Sequence, residues 1–277
     1  MTAETRPSVG RDFAWSAFGL ASGAVSALAL TMVLTRTQSP AEVAAVASAL
    51  SLVAIAGPLS SLGGAMAAVP LIARAEASQR SGMARHLLLQ AAVLALMTSV
   101  AMVTVSWWLP SERRGITIAL VVGLPAVAVA AVADSVARAH HRFRVATVFN
   151  DSPRRVLLIL ALIATAHVDI ALAVALGFAS ALYTVTIALL IKGAGLAQPA
   201  AGASQRGRQL LRITLPFLPL AVFGQVVPQA GVMLVDLVST DPEVGRMAVA
   251  VRFYAITAML YSVTVRVVAP RVASAKD

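Results

Sequence analysis

The sequence predicts an all-α integral membrane protein of about eight transmembrane helices, arranged as one six-helix lobe plus the first hairpin of a second lobe. Three observations carry this. Of the 277 residues, 59% are hydrophobic and only 12% charged, and the mean hydropathy is +0.84, whereas soluble domains carry roughly a quarter charged residues. Apolar runs of about twenty residues, the length a helix needs to cross a hydrocarbon core of roughly 30 Å, recur along the chain, without the in/out alternation of a membrane barrel. Finally, the chain starts again near its end. At an offset of 201 residues, Met32, Glu42, Val43, Ala47, Ala49, Ala54 and Ile55 meet Met233, Glu243, Val244, Ala248, Ala250, Ala255 and Ile256. Each copy is an apolar run, a short proline turn and a second apolar run, the mark of an internally duplicated fold.

The spans are expected near 13–35, 43–70, 87–109, 116–137, 145–166, 170–191, 213–238 and 244–268. The first begins after a polar stretch with Arg6 and Arg11 and contains Ala27-Leu28-Ala29, yet it runs on to Thr35. It is therefore too long for a signal peptide and is read as a retained span. Its Gly19-xxx-Gly23 pattern, with Ala27 a turn on, gives a small-residue face for close helix packing. The second span contains Gly57-Pro58 and ends in Gly63-Gly64, and the seventh contains Pro216, Pro219 and Pro228. Each proline removes a backbone donor, so kinks are expected there.

The fifth span is interrupted by Asn150-Asp151-Ser152-Pro153-Arg154-Arg155. Either its helix reaches back through Val145, with the charged patch at the inner surface, or 156–191 is one hairpin turning at His167-Val168-Asp169. Both leave the downstream topology unchanged. Residues 193–212, rich in Gly, Ala, Pro and Ser, are read as a cytoplasmic linker between a lobe at 1–192 and the two helices of 213–277.

Basic residues set the orientation. One side receives Arg6 and Arg11, then Arg74, Arg80 and Arg85, then Arg138, Arg142, Arg144, Arg154 and Arg155, then Lys192, Arg206, Arg208 and Arg212, then Arg266, Arg271 and Lys276. The other receives Arg36, Arg113, Arg114 and Arg246. By the positive-inside rule the first side is cytoplasmic and holds both termini. The net charge of +10 therefore reports topology, and no nucleic-acid partner is expected. Zero cysteines exclude disulfides and thiol chemistry. His86, His140, His141 and His167 have no carboxylates at ligand spacing, so no metal site, cofactor or catalysis is expected.

Charges inside spans are costly and default to functional candidates. Arg252 lies about eight residues into the last span, and Asp236, near the outer end of the seventh, is its nearest acid across the hairpin. Asp236 is thus a candidate for coupling or for an ion pair. Arg36 closes the first span on the outer side, where topology disfavours a cation. Asp134 and Arg138 stand one helical turn apart, as in a local ion pair.

Four stretches resemble the polysaccharide and O-antigen lipid-linked oligosaccharide flippases of the MOP exporter superfamily, relatives of the MATE exporters and the lipid II flippase. LTRTQSPAEVAAVASALSLVA (34–54) is similar to the family's first turn. RAHHRFRVATVFNDSPRRVLLIL (138–160) is similar to its fourth-to-fifth connection. LLRITLPFLPLAVFG (210–224) looks like the opening of its second half, and VDLVSTDPEVGRMAVAVRF (235–253) like its Asp…Pro-x-x-Val-Gly…Ala-x-Arg segment. Where the family usually has a tyrosine two residues after the glycine, this chain has Arg246-Met247. The resemblance implies two six-helix lobes about a pseudo-twofold axis, enclosing a cavity that opens alternately to each side of a bacterial cytoplasmic membrane. It implies a polyprenyl-linked sugar whose pyrophosphate head group is engaged by arginines, here Arg36 and Arg252, with Asp236 matching a frequent aspartate. Membrane lipids, a second subunit or glycan-assembly proteins are the expected partners, because the chain ends after its eighth span and is expected to need the rest of a second lobe. A cation-coupled small-molecule exporter of the same superfamily and a non-transporting scaffold for glycan assembly are the alternative readings.

Overall fold

The computed structural model describes residues 9–168, 170–196, 212–257 and 268. Every regular element among them is helical: α1 Val9–Thr37, α2 Pro40–Ser60, α3 Gly64–Arg74, α4 Ala77–Ser106, α5 Ser111–Val121, α6 Leu124–Ala139, α7 Phe143–Val148, α8 Ser152–His167, α9 Leu172–Ala194, a 3-10 turn Leu215–Phe217, α10 Leu218–Val238 and α11 Asp241–Thr257. Five segments are long and apolar enough to cross a membrane: α1, α2 with α3, α4, α5 with α6, and α9. A sixth is added if the bent pair Arg212–Gly224 and Gln229–Val238 is one span. Of the other expected spans, α8 has 16 residues and falls short by length, while α11 is described over 17; the rest of the last expected span, 258–267, and most of the expected linker, 197–211, lie outside the described residues.

The repeat is borne out at the level of helix ends. α1 ends at Thr37 and α10 at Val238, while α2 begins at Pro40 and α11 at Asp241, so both boundaries keep the offset of 201 residues. The first turn shows why the proline and glutamate matter. Ser39 caps α2, its hydroxyl accepting from the Glu42 amide at 3.4 Å while the Glu42 carboxylate accepts from the Ser39 amide at 2.9 Å. Pro40 occupies the first helical position, where no donor is missed.

Two expected spans are broken by backbone. Between α2 and α3 Leu62 (φ 44°) and Gly63 (φ 74°) adopt left-handed conformations. At Gly63 a Cβ would lie 2.7 Å from the Leu218 amide nitrogen and 2.8 Å from the Thr214 carbonyl oxygen, so only glycine lets the turn that leads into α10 approach this break. Pro58 itself is accommodated inside α2. The other break separates α5 from α6 at Val122-Gly123. In the seventh span the segments on either side of residues 225–228 meet at 57°, and Pro228, which lacks a backbone donor, falls in that interval.

Broken helices occupy the centre and unbroken ones the rim. The α2–α3 and α5–α6 spans are 61% and 67% buried over their apolar windows, against 22% for α4. Alanines dominate the buried face of α6, including Ala126, Ala130, Ala133 and Ala137; small side chains let backbones approach where lipid gives no hydrophobic drive to pair. On α4 the exposed Leu96, Met97 and Val100 face lipid. The hairpin α10–α11 docks on α2 through buried Ala44, Ala47, Val232, Val244, Ala248 and Val251, with Ser51 donating to the Gln229 side-chain oxygen at 3.0 Å.

Candidate functional site

The Gly19-xxx-Gly23 face of α1 is where the site is built. The α7–α8 connection lies directly on it: a Cβ at Gly19 would come within 2.5 Å of Thr147 Cγ2. Asn150 donates to the Gly19 carbonyl at 2.6 Å, and the Ser22 and Ser152 hydroxyls are 3.1 Å apart. The Asn150 side-chain oxygen accepts from the Ser152 amide at 2.8 Å and so fixes the start of α8. The next residues, Arg154 and Arg155, are thereby carried into the bundle. Gly23 lies ten residues past Phe13, about 15 Å along the helix, or roughly half of the hydrocarbon thickness.

Arg155 hydrogen-bonds the Gly23 carbonyl through Nη1 and Asp151 through Nη2 at 3.2 Å. Across α1, on α11, Arg252 is in electrostatic reach of Arg155 first and of Asp151 and Arg154. Arg252 lies eleven residues past Asp241, about 16 Å down its helix, which agrees with the depth reached at Gly23. Arg154 points the other way, into the lobe: it is 6% exposed, close to Tyr183 of α9. Its Nη2 and the Tyr183 hydroxyl have no hydrogen-bond partner among the described residues. Arg155 thus holds the Asp151 carboxylate, and Arg154 and Arg252 act on the same carboxylate electrostatically, at a depth where each unneutralised charge is costly. Such a cluster attracts an anion, and the planar donor fork of arginine suits phosphate oxygens.

Of the three residues singled out by sequence, the structure brings only Arg252 to this cluster. Arg36 is exposed in the last turn of α1, thirteen residues and about 20 Å further along the helix than Gly23. Asp236 meets Arg113 of α5 at 2.8 Å, where Arg252 was the expected partner; the second nitrogen of the same guanidinium holds Asp241 at 2.8 Å. Asp134 and Arg138 form the expected ion pair one turn apart. Sequence alone leaves Asp151, Arg154 and Arg155 either as a charged patch at the inner surface or as the approach to a 156–191 hairpin, because they continue a basic loop; the signal for them is the interruption of the fifth apolar run. Among the described residues no group of three or more histidines and acids could hold a metal ion.

Helices of this length and apolarity, folded about an interior cation cluster, define a multi-pass membrane protein, and its fold is that of MATE transporters. It is similar to the MATE multidrug transporter DinF-BH solved in complex with R6G, with a TM-score of 0.77 and 16% identity over 99% of this chain and 66% of that one. A second solved chain, protein A, gives a TM-score of 0.74 at 16% identity with the same coverages. The chain therefore spans 66% of the length of each, and at this identity the likeness is one of fold. The chain belongs to the polysaccharide biosynthesis protein family, whose model matches residues 9–276. No curated protein matches it in sequence.

Proposed function

We propose that the protein is a flippase-type transporter that moves a lipid-linked oligosaccharide, a polysaccharide precursor, from the inner to the outer leaflet of a bacterial cytoplasmic membrane. Both termini lie in the cytoplasm, as the arginine distribution requires. The observation that carries the reading is that Arg252 lies within electrostatic range of Arg155, Asp151 and Arg154, Asp151 being the one acid that acts on it among the described residues. The substrate's pyrophosphate supplies the missing negative charge. Arg252 and Arg155 engage it by charge-assisted hydrogen bonds, while Asp151 holds Arg155 when no substrate is present. Arg36 meets the head group at the other end of the path. No covalent bond is made or broken; transport is the rocking of two lobes around the cationic site, and substrate shifts the balance only through its different affinity for the two states.

A cation-coupled exporter shares the fold, but three arginines around one carboxylate repel a cationic cargo. The test is complementation of a strain lacking its own lipid-linked oligosaccharide flippase, with surface polysaccharide as the readout. Restoration by the wild-type chain and not by Arg252→Ala is the expected result. Equal restoration by both removes the arginine cluster from the mechanism.

A further inference from the structure

A groove of about 410 Å³ lies between α7 and the end of α9, and none of its lining residues belongs to the arginine cluster. Its volume is in the range of about 300–1,000 Å³ typical of small-ligand pockets. Its lining is graded. Val145, Val148, Phe149, Leu189 and Leu190 form an apolar floor, while Arg144, Gly193 and Ala194 form the mouth. The gradient follows membrane depth: α7 descends from the basic end toward Asn150, which meets α1 at Gly19, and Leu189 is about 7 Å below Ala194 along α9.

The mouth is cationic. Arg142 reaches across it to donate to the Ala194 carbonyl at 2.9 Å, and Arg144 is exposed, its guanidinium 5.8 Å from the Trp15 ring. Lys192 is exposed on α9 two residues before Ala194. No acidic residue lines the groove. A cationic rim over an apolar slot, at the level of the head groups, matches a molecule with an anionic head and a hydrocarbon tail.

We propose that this groove binds an anionic phospholipid of the surrounding leaflet, with one acyl chain along α9 and the phosphodiester between Arg142 and Arg144. Such a lipid wedges α7 against α9 and thereby holds the α7–α8 connection on which Arg155 is carried.

The experiment is native mass spectrometry of the full chain in detergent, with phosphatidylglycerol and phosphatidylcholine of the same acyl chains. Wild type is expected to retain phosphatidylglycerol about tenfold better, since basic residues at head-group level attract an anionic lipid and not a zwitterionic one. The double variant Arg142→Ala/Arg144→Ala removes the preference and leaves weak binding of both lipids. Leu189→Trp, on the groove lining, fills the slot and reduces both; Arg74→Ala, off the groove, changes neither. Helical circular dichroism confirms that each variant folds. Equal retention of the two lipids by wild type, or an unchanged preference in both groove variants, overturns the proposal. So does a preference for polyprenyl phosphate over phosphatidylglycerol, which makes the groove part of the substrate's path.

Discussion

Two ionic groups link α5 and α8 to the α10–α11 hairpin, and they are built on opposite charge balances. Near the end opposite the basic loops, one arginine, Arg113, forks between two carboxylates, Asp236 and Asp241, with every side chain 17–38% exposed. Beside the middle of α1, Arg155 holds Asp151, and Arg154 and Arg252 act on that one carboxylate electrostatically. The first group is satisfied by the protein and works as a latch. The second is left cationic at mid-depth, where an unneutralised charge persists only if something else completes it. Location alone does not separate structural from functional arginines; the local count of acids does.

The comparison breaks first, and by the largest effect, in activity. Arg155→Ala with Arg252→Ala is expected to abolish complementation, while Arg252→Lys retains part of it, because lysine keeps the charge and loses the two-point donor fork. If the lysine variant were as inactive as the double alanine, geometry would outweigh charge in the cluster. Next comes stability. Gly19→Ala puts a methyl 2.5 Å from Thr147 Cγ2, whereas Gly23→Ala meets nothing closer than 3.7 Å. The first is therefore expected to cost about 1–3 kcal/mol and the second much less, read as thermal unfolding in detergent. Equal melting temperatures would mean that the α7–α8 connection is not seated on α1.

The latch ranks third. Arg113→Ala is expected to cost about 1 kcal/mol, as partly exposed ion pairs do, and Asp236→Asn added to it should cost little more if the two act as one unit. The smallest effect belongs to His140, in the basic loop after α6. Burial foremost, then Arg80, Arg142 and His141, holds its pKa below the ordinary 6.5. The unfolded chain then takes up the proton more readily, so stability should fall as pH drops below 6.5 toward the folded pKa, and above 6.5 His140 contributes no pH dependence. His140→Gln should flatten that acid limb of a melting-temperature profile.

Much of this fold was legible in the sequence because membrane helices announce themselves by length and apolarity. The repeat was legible for a stricter reason: a cap and a proline turn fix where a helix starts, and Ser39-Pro40-Ala41-Glu42 has its counterpart at Thr240-Asp241-Pro242-Glu243. The breaks at Leu62-Gly63 and Val122-Gly123 were harder, since hydropathy averages across a turn of two or three residues. Pro58, the more conspicuous signal, stayed within its helix. The partner of Asp236 was hidden by 123 residues of separation, and no periodicity reports which loop folds back to a hairpin end. Arg154 and Arg155 were hidden by their neighbours: five arginines between 138 and 155 read as one basic patch, although the α7–α8 connection is seated on Gly19 of α1 and sets the last two beside that helix. Arg252 was found because it stands alone in an apolar run.

The central claim is that the interior cluster is the protein's anion site and the latch is not. Its most direct measurement is the affinity of the purified chain for a polyprenyl diphosphate, compared between wild type, Arg252→Ala and Arg113→Ala at two salt concentrations. The predicted result is a loss of about tenfold or more for Arg252→Ala, as for charge-assisted hydrogen bonds of roughly 1.5–3 kcal/mol, with Arg113→Ala close to wild type. Equal weakening by both variants, or none by Arg252→Ala, would contradict the claim.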